Sequence, residues 1–365
     1  MIFLAVSSLL MILFATLRGN TVGIDYPMYQ TYFGRMHNEG WQFLLGPENE
    51  YRIELGFSLL NYAISRFTGD VRVFMAIVAV VMTVMAAAAL YRDCAIPWVG
   101  MFVFVSFNFF GNTMSFVRQS IAIGIFLFAI RYLKDKRFWP YLLVVLLAAS
   151  FHKSMLLLIP VYFLAHIRVT WKSVAVYAGG AVLLMAFSWP IFRFVTQFVY
   201  RFYATEEGLY FMRGRNWQTA FVPVALALVA LLAKKFLLER DPRNVVLINF
   251  ALYTGFLFVM TCQHYLFQRI GNIFFAGAVF LVPEILKSIR VEQEASQGPV
   301  NLKKIQDRGE KKRILQERRK AQSHVNWRRY YYNYSLGTVL FIGVLYYIWF
   351  LLQNRINLIP YVTFF

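Results

Sequence analysis

Residues 139–165 read WPYLLVVLLAASFHKSMLLLIPVYFLA, an apolar run of 27 residues interrupted in its middle by His152-Lys153-Ser154. As one helix it would extend about 40 Å, at 1.5 Å per residue. As two limbs folded back at His152, each covers about 20 Å, short of a hydrocarbon core about 30 Å thick. The flanks decide between these forms. Arg131–Phe138 holds four basic residues, and His166–Lys172 holds Arg168 and Lys172. Basic loops collect on the cytoplasmic side of a membrane protein. Both flanks therefore belong on one side, and the run enters and returns, with His152 buried nearer the outer face. A single crossing would invert every later loop and put Lys287–Tyr334 outside. That stretch carries 13 Lys or Arg against 5 Asp or Glu, a net of +8.

Working outward, further apolar spans stand at Met1–Leu17, Val71–Leu90, Trp98–Gly111, Val117–Leu133, Ser173–Phe192, Thr219–Leu238, Val245–Cys262, Ile270–Leu286 and Ser335–Leu352. Met1–Leu17 lacks a basic start and a small-residue cleavage site, so it reads as a retained helix. Hydrophobic residues make up 59% of the 365 residues and charged residues 15%. Soluble domains run at about 45–50% and about 25%, so soluble enzyme folds and extensive disorder are excluded. The expected fold is all-α: a polytopic membrane helical bundle of about 10–11 segments, counting the re-entrant or broken pair at 139–165. The chain is expected in the bacterial cytoplasmic membrane, with its N-terminus inside the cell and its C-terminus outside. Residues 1–290 form the membrane core, with outer loops at 18–70 and 193–218. Residues 291–334 are a basic cytoplasmic loop and helix, and 335–365 are the last span and an external tail.

The net charge of +19 fits basic loops better than nucleic acid, because no soluble basic domain exists to carry a polyanion. Asn301–Gln322 reads as a charged helix, either solvated or a surface for anionic lipid or a partner protein. Tyr330-Tyr331-Tyr332 reads as an interfacial aromatic belt. The topology puts Cys94 and Cys262 on opposite sides, and no His/Cys cluster of metal-ligand spacing occurs. No repeat, and no two-half symmetry of the transporter kind, is visible.

With so few charges, each one near the membrane carries information. Asp25 precedes Tyr26, Tyr29 and Phe33, which share a helix face, and Pro27 suits a first turn. Asp25 is a helix cap or a carboxylate for a sugar hydroxyl. Glu54 opens an amphipathic segment with Leu55, Leu59, Tyr62 and Phe67; it answers the helix dipole or faces an external cavity. Arg118 begins the span that carries Ala122, Ile125 and Ala129; it snorkels to the interface or clamps a phosphate. His152 ties the two limbs or serves as a base. Arg193, Arg201, Arg213 and Arg215 outweigh Glu206 and Glu207 in the loop Arg193–Gln218, which suits an anionic ligand or anionic headgroups. Gln263, His264, Gln268 and Arg269 cluster in the next outer loop, and Arg269 opens a helix with Gly271 and Asn272. No G-x-S-x-G, Walker loop, GxGxxG or HExxH occurs, so nucleotide-driven transport and serine or zinc hydrolysis lack local support.

The order Arg18…Gly23-x-Asp25…Tyr29…Phe33, Glu54-x-Gly56-Phe57, Arg118-Gln119-x-x-Ala122, Phe151-His152-x-Ser154 with Pro160, and late Arg269 resembles the EpsG family, over roughly Met1 to Lys287. These are membrane proteins of exopolysaccharide and capsule clusters, similar in role to Wzy polymerases. The resemblance implies polymerisation of oligosaccharide repeats linked to polyprenyl pyrophosphate. An acceptor hydroxyl attacks an anomeric carbon and polyprenyl pyrophosphate leaves. It implies His152, Asp25 and Glu54 as catalytic, and Arg118, Arg269, Arg18 and Gln119 as binding pyrophosphate or sugar. It demands no cofactor and no metal. The implied partners are the lipid-linked substrate, membrane lipids and other synthesis or export proteins. A flippase of lipid-linked sugars, a membrane acyltransferase and a non-catalytic scaffold are the rival readings.

Overall fold

A computed structural model describes residues 1–46, 53–188, 190, 194, 217–263, 266–289 and 308–363. The described residues form seventeen α-helices and no β-strand. Three helices (Val71–Asp93, Pro242–Met260 and Arg329–Gln353) are each long and apolar enough to cross a membrane alone. The other apolar helices are shorter and pack beside them. This is a polytopic membrane bundle, the form in which backbone polar groups find partners without water.

The hairpin at 139–165 is present. Helix α9 (Phe138–Ala149) ends at Ser150, a 3-10 turn covers Lys153–Leu157, and α10 (Leu158–Leu164) runs back. The limbs touch along their length. Tyr141 Oη donates to the Leu158 carbonyl at 2.7 Å, and the Phe138 ring lies 5.0 Å from that of Tyr162. His166 Nε2 meets the Leu133 carbonyl at 2.8 Å, so the chain returns to the level where it entered.

Several expected spans are divided. Trp98–Gly111 becomes α6 (Pro97–Ser106) and α7 (Phe109–Ser115), parted at Asn108 with φ 64°. Asparagine tolerates that left-handed conformation better than a branched residue. Thr219–Leu238 becomes α12 (Phe221–Leu232) and α13 (Lys234–Arg240), and the broken pair bends by 63°. Ile270–Leu286 becomes α15 (Leu266–Phe275) and α16 (Ala278–Ile289), bent by 42°. The charged helix expected at Asn301–Gln322 and the last span run together as one helix, α17 (Arg308–Gln353).

The first outer loop is helical, with α2 (Tyr26–Glu39), α3 (Trp41–Leu45) and α4 (Leu55–Ser65) before the spanning α5 (Val71–Asp93). The loops gather at two ends. At one end, the segment after α1 (Ile2–Thr16) meets the C-terminal tail: Gly19 N donates to the Val362 carbonyl at 2.6 Å, and Gly23 N to that of Asn357 at 2.9 Å. Glu54, Arg118 at the start of α8 (Val117–Lys134), and the hairpin tip lie at this end. At the other end Lys134, Asp241 and Glu284 come together, and Lys234 reaches the Val169 carbonyl. The two sets group the loops as the Lys and Arg distribution groups them.

Candidate functional site

The hairpin tip is fastened to the start of α4. Gly56 N donates to the Ser150 carbonyl at 2.8 Å, which engages one of the N-H groups a helix start leaves open. A Cβ at Gly56 would collide with Ser150, so the close approach requires glycine. Two residues earlier, Glu54 occupies the N-cap position of α4, yet its side chain makes no capping bond. It turns to the tip instead and accepts from Lys153 N at 3.1 Å. Its other oxygen accepts from Arg118 at 2.7 Å, and the Glu54 side chain is 3% exposed. His152 Nδ1 stands 3.6 Å from Glu54 Oε1. That is a charge contact, too long for a hydrogen bond.

Burial works against charge on Glu54. Arg118 first, and His152 second, outweigh it and hold the carboxyl below its ordinary value. The dipole reading of Glu54 and the snorkel reading of Arg118 therefore give way to one buried ion pair that joins the first loop to α8. The Tyr29 hydroxyl closes the far side, 3.5 Å from Arg118 N.

Asp25 is delivered by a glycine. Gly23 has φ 101°, and a Cβ there would strike the Met114 carbonyl. Ile24 N then donates to Ser115 Oγ at 3.1 Å, which pins the chain to the end of α7. Asp25 sits at the N-cap of α2 without a capping side-chain bond, so the cap reading fails. Its half-buried carboxyl faces Arg269 and Arg118. Burial pushes that carboxyl above its ordinary value against the pull of the two arginines.

Arg269 completes the cluster from α15. Its guanidinium lies over the Phe116 ring, 5.1 Å from the centroid. Gln119, buried on α8, donates to the Arg269 carbonyl at 2.6 Å and fixes where that helix turn sits. Asp25, Glu54, Arg118, His152 and Arg269 thus share one neighbourhood. Buried Arg118 Nε, Arg269 Nε, His152 Nδ1 and Ser154 Oγ have no hydrogen-bond partner. Buried polar groups are normally satisfied, so these exceptions set the cluster apart from the packing around it.

Arg18 is not in this cluster. It is buried, donates to the Met114 carbonyl, reaches Met75 Sδ at 3.3 Å and stands over the Tyr26 ring at 5.6 Å. Its fork is spent on structure. Gln263 pairs with Ser188 at 3.0 Å. His264 and the residues Arg193, Arg201, Glu206, Glu207, Arg213 and Arg215 lie outside the described residues. Among the described residues no group of three metal-ligating side chains converges. Phe116 and the backbone groups of Ser150 and Lys153 were not singled out in the sequence. Only the nearness of Phe116 to Arg118 hinted at one of them.

The model of the EpsG family matches residues 1–296, four-fifths of the chain. The chain belongs to the EpsG family. Membership connects it to exopolysaccharide biosynthesis in a polymerase-like role, as an integral membrane protein. No curated protein and no solved structure matches the chain. The matched segment contains every residue of the cluster. Gly23 and Gly56 allow the two close approaches, and Asp25, Glu54, Arg118, His152 and Arg269 supply the charge.

Proposed function

We propose that the protein polymerises oligosaccharide repeats carried on polyprenyl pyrophosphate, for exopolysaccharide or capsule. It works at the outer face of the bacterial cytoplasmic membrane, with the N-terminus inside and the C-terminus outside. One observation carries the reading: two arginines with unpartnered buried nitrogens meet two carboxylates and a histidine at one end of an apolar bundle. The reaction needs that set. The acceptor hydroxyl attacks the anomeric carbon, the bond from that carbon to the pyrophosphate oxygen breaks, and polyprenyl pyrophosphate leaves with the electron pair. Arg118 and Arg269 offer planar donor forks to the oxygens where negative charge grows. His152 takes the hydroxyl proton, as imidazole suits near neutral pH. Glu54 stands beside the ring, 3.6 Å from its Nδ1. Asp25 holds the acceptor sugar, and Gln119 positions Arg269 through its carbonyl. Arg18 supports the loop that presents Asp25. Because pyrophosphate is already an activated leaving group, no nucleotide or metal is demanded.

The test is the full-length protein in liposomes supplied with polyprenyl-pyrophosphate-linked repeats. Wild type lengthens the chains and releases polyprenyl pyrophosphate, and Arg118→Ala and His152→Ala do neither at a comparable rate. A flippase would move the lipid without lengthening it, and an acyltransferase would alter the sugar at constant length. Unchanged chain length with wild type, or full ladders from both variants, contradicts the proposal. For orientation, single cysteines at 152 and within 287–334 are treated with an impermeant thiol reagent. Labelling at 152 with a protected basic segment is expected, and the reverse overturns the topology.

A further inference from the structure

A concavity lies beside the cluster, at the same end of the bundle. It is a cleft of about 460 Å³, within the range of about 300–1,000 Å³ usual for small-molecule sites. Arg18, Asn20, Thr21, Tyr26, Gln30 and Asp70 supply most of its polar wall, with Arg72 at the rim. We propose that this cleft is a saccharide subsite, which takes sugar rings of the lipid-linked chain that are not themselves reacting. The proposal rests on the polymerase reading for the identity of that chain.

The chemistry of the wall favours neutral hydroxyls over phosphate. Arg18 points its terminal nitrogens at Met114 and Met75, so it offers no free fork for an anion. Arg72 is already clamped on Asp70, with its closest approach at 2.6 Å. What remains toward solvent is the amides of Asn20 and Gln30 and the hydroxyl of Thr21, all exposed. Amides both donate and accept, as sugar hydroxyls do.

Position supports the same occupant. Asp25 faces the arginine cluster and Tyr26 lines the cleft, and they are consecutive residues, about 3.8 Å apart at Cα. The first turn of α2 is therefore the wall between the two sites. A saccharide with its reacting ring at Asp25 has its next rings within reach of the cleft. Binding energy from such non-reacting rings orients the reacting one.

The experiment uses full-length protein in detergent and a lipid-free oligosaccharide repeat released from the polymer. Binding is followed by calorimetry for wild type, Gln30→Trp, which fills the cleft from an exposed helix position, and Asn20→Ala on the α1–α2 segment. All three are first checked for equal thermal unfolding. Wild type binds, and affinity falls at least about tenfold in Gln30→Trp and measurably in Asn20→Ala. No binding by wild type, or equal affinity in all three, overturns the subsite. The same samples are given lipid-linked repeats. A wild type that binds the free saccharide but does not lengthen chains keeps the subsite and refutes the polymerase. One that lengthens chains without binding the free saccharide does the opposite.

Discussion

The two ends of the bundle treat charge differently. At the end away from the cluster, cations are matched by anions. Lys134 meets Asn244 Oδ1 at 2.9 Å, with Asp241 at 3.7 Å and Glu284 at 3.9 Å. Arg240 meets Glu284 at 3.1 Å, and Arg243 bridges Asp135 at 2.7 Å and Asp241 at 3.0 Å. None of the buried unpartnered atoms belongs to these residues. At the other end Arg118, Arg269 and His152 each keep a buried nitrogen without a partner among the described residues. The first arrangement ties helix ends together and is complete. The second leaves donors open in a setting where each ionic group is expensive, and the proposed reaction uses those donors.

The comparison breaks or sharpens under substitution. The largest effect is expected at the Glu54–Arg118 pair, which bears structure at the site end. Glu54→Ala leaves Arg118 buried without its anion, and Lys153 N without its acceptor. Such a loss costs about 3–5 kcal/mol, read as a lower unfolding temperature together with lost polymerisation. The pH dependence follows from the same residue. Folded Glu54 titrates below its unfolded value of about 4.3, so its contribution is full above that value. It declines as pH falls through the lower folded value, and Glu54→Gln lacks this acid loss in a pH series of melts. An identical acid limb in the variant would remove the ion pair from the account.

His152→Ala comes next. Loss of a general base lowers the rate by about 10²–10⁴, while the melt shifts little because Nδ1 makes no hydrogen bond. A large fall in stability with ordinary turnover by the surviving protein would make His152 a tie between the limbs. The smallest effect is at Gln119→Ala. It removes one hydrogen bond to the Arg269 carbonyl, worth about 0.5–1.5 kcal/mol. The expected readout is a raised KM for lipid-linked repeats with kcat nearly kept.

The sequence carries the hairpin because its flanking charges are a local signal, and the limbs meet as those charges require. The five charged residues were legible as candidates because an ionic group is rare in so apolar a chain. What each one touches was not. Glu54 finds Arg118 and Lys153 at separations of 64 and 99 residues, and no local pattern encodes such pairings. The reading of Glu54 as a dipole partner and of Asp25 as a cap used only neighbours in the chain, and both side chains turn elsewhere. The break at Asn108 hides because hydropathy is blind to a single left-handed residue in an apolar run. Arg308–Gln353 reads as two segments because its composition changes midway, while its backbone does not. Arg18 shares the family pattern with Arg118, and only geometry reveals that its fork is occupied.

The most direct measurement compares Arg269→Gln with Arg240→Gln in liposomes, following chain lengthening and thermal unfolding together. Among the described residues Arg269 pairs with no anion at ion-pair distance, so its loss should slow lengthening about 10²–10³-fold with an unchanged melt. Arg240→Gln should lower the melt, by about 1 kcal/mol for a part-buried pair, with lengthening near wild type. Equal rates for wild type and Arg269→Gln, or an equal loss of rate in both variants, would contradict the division of the molecule into a reacting end and a structural one.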